Sequence, residues 1–565
     1  MPTNKQLKSL HNKTFDTVII GSGVGGLAAA ICLSKAGQKV LVLEQHDVPG
    51  GWCHSFYLNG DRFTPGVHYV GMVGDGLSTN ELYEGLGIAN DIVFYRQNPD
   101  AFEHCWIGEE RFNYPADFKT FENRLIQRFP HEKKNIINYL KLINNVGRQI
   151  GLIAKVRGLW QQLTIPFRTK HMGKYSPFSL KRVLGWYIKD PLLQRILCIQ
   201  FGDHGLAPAK ASFIFHAAIM HHYHTGGFYP MGGGGAIVKA MTNAIKAKNG
   251  IIKTSTSVKR ILLDDTGKRK KAIGVELANG AQVFANRVIS NADPGITYQK
   301  LIGEEHLSNK LKKKLSKTKY SCTSLMLFLT VDMDVTKLGI DSGNIWHMPN
   351  KDMDDLYTDM QKENLLEDKE FPGMFISCTT LKDPSSYDGK HHTLEAITYI
   401  NYDAFKDFSG ENIERSASYL KFKEQLIAKF FITLEKVIPG ISNHIVQKEL
   451  GTPLTNKHFI NSTRGNVYGT EKSLRHIGPF SYKPKSEIEN LYLCGASIVS
   501  HGVVGASYSG VQTAAAILGC HQNDLLKPSD DQHLRVFEAE HDTDYPDWMR
   551  KKIAVKQNKT KARKV

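Results

Sequence analysis

The chain has 565 residues, 41% of them hydrophobic and 10% aromatic, which is enough to bury a sizeable core and excludes a mainly disordered chain. Its 72 Lys and Arg against 55 Asp and Glu leave a net charge of +17, which points to an anionic partner: a membrane surface, a nucleic acid or an acidic ligand. The excess is uneven, because residues 550–565 hold eight basic and no acidic side chains and read as a disordered basic tail.

From the N-terminus, Met1 to Lys13 is polar and charged and lacks the apolar core of a signal peptide. Residues 17–20 (Thr-Val-Ile-Ile) form a β-branched apolar run, expected as a buried strand. A glycine-rich turn follows, Gly21-Ser22-Gly23-Val24-Gly25-Gly26, then a helix over 27–36 closed by Gly37 and a second strand over 39–43. That strand ends at Glu44, 23 residues after the first glycine. Each part has a physical job: Gly21 makes the tight turn, Gly23 lets the backbone approach a pyrophosphate, and Gly26 lets helix and strand pack closely. The helix N-terminus offers free N–H groups to the phosphates, and Glu44 would accept hydrogen bonds from a ribose diol. An acid at this point favours an unphosphorylated ribose, hence FAD or NAD rather than NADP.

Further along, residues 251–258 read as one strand, and 259–263, 271–277 and 282–284 as a β-meander around the charged turn 264–270. Strands are expected over 323–331, 373–379 and 392–400, and a helix over 416–437. Lys310, Lys312, Lys313, Lys314, Lys317 and Lys319 are most simply a solvated helix face; without interleaved aromatics they do not indicate nucleic-acid binding. His216, His221, His222 and His224 have no carboxylate at ligand spacing, so no metal site is read there; a flavin-pocket or surface role is expected. The eight cysteines come no closer than 21 residues apart, which excludes CxxC motifs and favours buried free thiols in a reducing compartment. The most apolar stretches, 18–33 and 491–518, are broken by glycines, so no spanning helix is expected. Near the end, a strand over 490–494 runs into Gly495, and residues 502–507, with Gly505, open a helix that continues to 516. This second turn would point a helix N-terminus at the ring end of a flavin.

Pro49-Gly50-Gly51, just after the ribose-binding acid, is typical of glutathione-reductase-like flavoproteins, where these glycines pass the flavin phosphates. The chain resembles the phytoene desaturase, carotenoid isomerase and retinol saturase family over residues 15–519. The matching stretches include 63–69, 226–233, 290–294, 382–384, 451–456 and 464–469, of which 451–456 with Tyr468-Gly469 is most like the retinol saturase branch. Two positions depart from the family pattern: Thr64 stands where an Asp is usual, and Ala496 where many relatives have a polar or acidic residue.

The resemblance implies an α/β fold: a glutathione-reductase-like, FAD-binding Rossmann domain with a discontinuous α+β substrate domain. The FAD domain would comprise residues 10–75, 222–300 and 485–525, the substrate domain 76–221 and 301–484, and a C-terminal extension 526–565 with the basic tail. Gly21, Gly23, Gly25, Gly26, Glu44, Gly50, Gly51, Val258, Gly495 and Gly505 would hold FAD, with Val258 beside the adenine. His68, Tyr69 and His501 would line the substrate side of the ring, where one of them could give a proton to a substrate carbanion or simply form the wall. The implied activity is hydride exchange between flavin and a carbon of a polyene lipid, most of all saturation of one double bond. Desaturation and redox-neutral isomerisation remain open, as does the flavin-free binding of prenylated proteins known on this fold. NAD(P)H is a possible electron donor, although only one dinucleotide fingerprint is present. Residues 155–190 mix Arg157, Arg168, Lys170, Lys181 and Arg182 with Trp160, Phe167, Phe178, Trp186 and Tyr187, so a cytoplasmic protein attached peripherally to membranes is expected, helped by the basic tail.

Overall fold

The structure, a computed structural model, describes residues 10–408, 410, 416–528 and 531–562. It is built on two seven-stranded sheets. In the first, strand Thr14–Ile20 lies between Val40–Leu43 and Gln282–Ser290, parallel to both, and Ile251–Lys253 extends the sheet beyond Val40–Leu43. Gln282–Ser290 plays two parts. Residues 282–284 close an antiparallel meander with Lys271–Leu277 and Val258–Asp264, whereas residues 288–290 pair in parallel with Leu491–Leu493.

Side-chain alternation sorts this sheet's two faces. Ile19, Val40 and Val42 pack with helices Val24–Lys35, Gly234–Ala247 and Gly502–Leu518, while Val18, Ile20, Leu41 and Leu43 pack with the meander. Helices Val24–Lys35 and Gly502–Leu518 touch backbone to backbone: a Cβ at Gly510 would lie 2.0 Å from the carbonyl oxygen of Gly25.

The second sheet runs Ile445–Gly451, Thr323–Val331, His392–Ile400, Met374–Cys378, Asn344–Met348, Glu103–Ile107, Glu110–Tyr114; only Asn344–Met348 and Glu103–Ile107 pair in parallel. Leu325, Leu327 and Leu329 share a core with helix Ala417–Val437. On the opposite face Met326, Phe328, Trp346, Phe375 and Tyr399 meet a layer of helices that includes Lys133–Ala154 and Phe213–His222.

Several sequence expectations are corrected. The run 251–258 is two strands: Ile251–Lys253 and Val258–Asp264 stand at opposite ends of the same sheet, and the link between them passes Glu44, whose carbonyl accepts the Thr256 N–H (2.7 Å). The first helix begins at Val24, inside the glycine motif, because glycines there let the chain turn without a clash. The C-terminal tail is a helix, Asp547–Ala562, rather than disordered as far as the described residues reach. Its Met549 is fully buried against Val93, Tyr95 and Met231, with Ile553 one turn on, and this apolar pair docks it. Seven cysteines are buried free thiols, but Cys520 is exposed, since it lies just past the Gly519 cap that ends helix Gly502–Leu518. Among the described residues no helix is long and apolar enough to cross a membrane.

Candidate active site

The two glycine turns open onto one cavity with about 1770 Å³ of empty space, part of it open to solvent. Its lining comes from both glycine turns and from the inner face of the second sheet, so one space is shared by the two sheets. One half is walled by Gly21, Gly23, Gly25, Glu44, Gly50, Gly51 and Val258. Gly21 has φ +91°, a conformation that side chains disfavour, and its N–H continues the sheet by bonding to the Leu43 carbonyl (2.8 Å). Helix Val24–Lys35 starts at Gly23 with no side-chain cap and no acid in its first turn, so its N-terminal N–H groups stay available at the cavity wall.

Glu44 is buried. It accepts hydrogen bonds from the Ser22 N–H (2.8 Å) and hydroxyl (2.6 Å) on Oε2, and from the His46 N–H (2.9 Å) on Oε1. The Ser22 hydroxyl in turn accepts the Gly50 N–H (3.0 Å), which ties the first turn to the Pro-Gly-Gly stretch. Gly26 sits behind the wall: a Cβ there would lie 2.4 Å from the Gly21 carbonyl oxygen, so its role is packing. Gly25 lines the cavity and also lets the two helices touch.

The second turn completes the wall. Gly495, Ala496, Gly502, Val503 and Ala506 line the cavity, and helix Gly502–Leu518, like the first, has no side-chain cap at its N-terminus. Gly505 does not line it, contrary to expectation. It faces Ser500, whose Cβ would stand 2.7 Å from a Cβ at 505, and so it closes the turn. Asn291 bridges the two turns: its amide approaches Gly23, and its Oδ1 accepts from the Cys494 thiol (3.4 Å). An elongated cavity with a buried acid, two close-approach glycine turns and two uncapped helix N-termini fits FAD.

The other half is aromatic and apolar, formed by Met326, Trp346, Phe375, Ile397 and Tyr399 of the second sheet. His68, Tyr69, Asp203, Tyr468 and His501 stand where the halves meet. His68 Nδ1 lies 3.0 Å from buried Glu395, whose other oxygen accepts the Thr64 N–H (2.9 Å). The buried Lys382 ammonium donates to the His68 carbonyl (2.8 Å) and to Asn344, and burial pulls its pKa down to about 7. The Tyr69 hydroxyl donates to Asp203 (2.8 Å). His501 Nε2 lies 2.6 Å from the Asp203 carbonyl, and burial lowers its pKa to about 3, so the ring is neutral and donates there. A neutral His501 whose N–H is already committed has no acidic proton to give near neutral pH.

None of the four histidines of 216–224 lines the cavity; His221, His222 and His224 are half-buried, and His222 accepts the Gly71 N–H (2.9 Å). His216 is buried between the Tyr139 hydroxyl (3.0 Å) and His204 (3.2 Å), and the rings of His221 and His224 stack 4.6 Å apart. They sit there because helix Phe213–His222 packs on helix Lys133–Ala154.

Ser22, Asn291, Asp203, Lys382 and Glu395 carry no motif role in the sequence. Ser22 lies within the glycine turn, and Asn291 and Lys382 fall in stretches shared with the resembled family, which was a signal for them. Asp203 and Glu395 had none, since their partners come from distant segments.

A profile of the flavin-containing amine oxidoreductase family matches residues 24–518. The chain is 30% identical over 535 residues to the all-trans-retinol 13,14-reductase of Danio rerio, covering 91% of this chain and 87% of that one. It is 28% identical over 533 residues to the chloroplastic prolycopene isomerase of Daucus carota, covering 91% and 82%. Among solved structures, an oxidoreductase from Methanosarcina mazei shares the fold with a TM-score of 0.58 at 17% identity, covering 89% of this chain and 99% of that one. The match runs from within the first glycine turn through the second and spans the aromatic half of the cavity, and the chain belongs to the flavin-containing amine oxidoreductase family of FAD-dependent oxidoreductases.

Proposed function

We propose that the protein reduces a carbon–carbon double bond of a polyene lipid, a retinoid or carotenoid, as a saturase of the retinol 13,14-reductase kind. The observation that carries this is the division of one cavity into a half suited to FAD and a half walled by Met326, Trp346, Phe375, Ile397 and Tyr399, which suits a conjugated hydrocarbon. The similarity to a retinol reductase supports it, and the similarity to a prolycopene isomerase favours redox-neutral isomerisation as the second reading.

FAD, when bound, supplies a hydride at its ring. The chain's residues do the rest. The two glycine turns and Glu44 would hold the dinucleotide, the uncapped N-terminus of helix Gly502–Leu518 would favour negative charge beside it, and the aromatic wall would position the polyene and exclude water. Residues 10–75, 222–300 and 485–525 form the cofactor domain in this reading, with 76–221 and 301–484 as the substrate domain. The electron donor would be a nicotinamide or another two-electron carrier docking without a second Rossmann site.

The substrate is insoluble in water, and we assign its uptake to a peripheral membrane contact. Trp160, Leu163 and Phe167 occupy one face of helix Gly158–Arg168 and are 77%, 61% and 82% exposed, and Trp186 of helix Leu180–Tyr187 is 48% exposed. Arg157, Arg168 and Lys170 flank them, and each cation near an anionic surface contributes about 1 kcal/mol.

Incubating reduced holoprotein with retinol, lycopene precursors and cis-carotenoids tests the reading. A product two hydrogens heavier supports saturation, and an isobaric isomer supports the second reading. A protein that cannot be loaded with FAD but retains prenylated peptides contradicts both.

A further inference from the structure

Three carboxylates line the cavity: Glu44, Asp293 and Asp203. Glu44 accepts three hydrogen bonds, and Asp293 accepts three, from the Ile296 N–H and from the N–H and hydroxyl of Thr463. Asp203 differs. Its carboxyl takes a single side-chain hydrogen bond, from the Tyr69 hydroxyl (2.8 Å), and among the described residues no cation pairs with it. It stands on the short helix Phe201–His204 beside the aromatic half: a Cβ at Gly202 would lie 2.6 Å from the Trp346 ring and 2.8 Å from Tyr399, so both rings press on the adjoining backbone.

We infer that Asp203 is the acid that protonates the substrate carbon after hydride addition, with Tyr69 as its positioning residue. This rests on the polyene-reductase reading above. The step balances as follows. Hydride from reduced flavin bonds to one carbon of the double bond, and the π electron pair moves to the neighbouring carbon. The Asp203 O–H breaks, and its proton bonds to that carbon. The alkene gains two electrons, the flavin loses two, and Asp203 is left as a carboxylate that takes its next proton from water once the product leaves.

The surroundings suit a neutral acid. The titratable groups facing Asp203 are Glu103, Tyr69, Tyr223, Tyr399, Tyr468 and His501. None supplies a positive charge: the tyrosines are held well above 10 and His501 near 3, in each case chiefly by burial. Burial, and after it the Asp203 charge, push Glu103 up to about 8, so near neutral pH this second carboxyl already holds a proton of its own. Lys382 lies over the Tyr69 ring (6.0 Å), one residue removed. Burial raises Asp203 itself to about 7, against which the Tyr69 hydrogen bond works.

The test is anaerobic single turnover of reduced holoprotein with retinol across neutral pH, together with infrared titration of the oxidised holoprotein. In the wild type the rate is constant below about pH 7 and falls above it, because only the protonated acid serves. Asp203→Asn keeps its flavin, slows product formation by about 100-fold or more, and abolishes that falling limb. It also loses a carboxylic-acid C=O band that the wild type shows below the limb. Tyr69→Phe moves the limb to higher pH, because the lost hydroxyl had stabilised the carboxylate. Asp203→Asn turnover at the wild-type rate and pH profile overturns the inference, as does the absence of an infrared band that disappears with Asp203. Should Asp203→Asn fail to load flavin, an unmoved limb in Tyr69→Phe overturns it. A wild type that leaves retinol unchanged overturns the polyene reading and the inference with it, whereas turnover whose pH limb survives Asp203→Asn overturns the inference alone.

Discussion

Glu44 serves two masters at the residue scale. One side of its carboxylate ties the Ser22 N–H and hydroxyl, and through that hydroxyl the Gly50 N–H, into the turn, while the residue also lines the cavity where a ribose would lie. Glu44→Ala would therefore remove the proposed ribose contact and strand buried donors, each worth about 1–3 kcal/mol when unsatisfied. The expected result is a weaker FAD complex, seen as flavin lost on dilution, and a lower melting temperature of the apoprotein as well. Flavin loss with an unchanged apoprotein melting temperature would show that the turn does not depend on this carboxylate. Glu44 was legible because strand, turn, helix and acid lie within one short local unit whose spacing fixes their geometry. Asp203 was not. What makes it unusual is the missing partners and the aromatic rings around it, and those come from Glu103–Ile107, Asn344–Met348 and His392–Ile400 as well as from its own helix.

Among elements, the crossing of Val24–Lys35 and Gly502–Leu518 brings the two halves of the cofactor wall together. Gly25, Gly495, Ala506 and Gly510 are small because the chain crowds there; of these, motif reading had assigned Gly25 and Gly495 to the ligand alone. Gly510→Val has no space to relax into and should cost about 1–3 kcal/mol or more as overpacking. It should also lower flavin occupancy, because both helix N-termini shift. Calorimetry and flavin absorbance measure the two effects, and a variant with full occupancy and wild-type melting would contradict the crossing. Strands 323–331 and 392–400 stand at the expected bounds, and both are buried along their whole length. The run 251–258 was not, since nothing local in it says that the chain leaves one edge of the sheet and rejoins at the other. The last helix was misread from charge. The docking signal, Met549 and Ile553 four residues apart, is slight against so many lysines.

Across the whole molecule, the glycine-lined half of the cavity comes from the first sheet and its crossing helices and the aromatic half from the second sheet, so in the proposed reading the reacting atoms would meet at the seam between them. The glycine fingerprints make the first legible; the second depends on which strand faces turn inward, which only the assembled sheet decides. In the proposed reading the exposed face of helix Gly158–Arg168 would be the route by which a water-insoluble substrate arrives. The intact protein should sediment with anionic vesicles at low salt, and Trp160→Ala combined with Phe167→Ala should release most of it, as each large side chain buries about 1.5–3 kcal/mol of apolar surface. Equal recovery of wild type and double variant in the supernatant would leave delivery by a carrier protein as the better account.

The central claim is that one cavity brings FAD and a polyene double bond together for hydride transfer. Anaerobic mixing of photoreduced holoprotein with all-trans-retinol, with flavin absorbance and product mass followed in the same reaction, tests it most directly. The account predicts that flavin reoxidises one-for-one with the appearance of a retinol derivative two hydrogens heavier. Flavin that stays reduced while the retinol is recovered unchanged, with carotenoid substrates giving the same result, would contradict it.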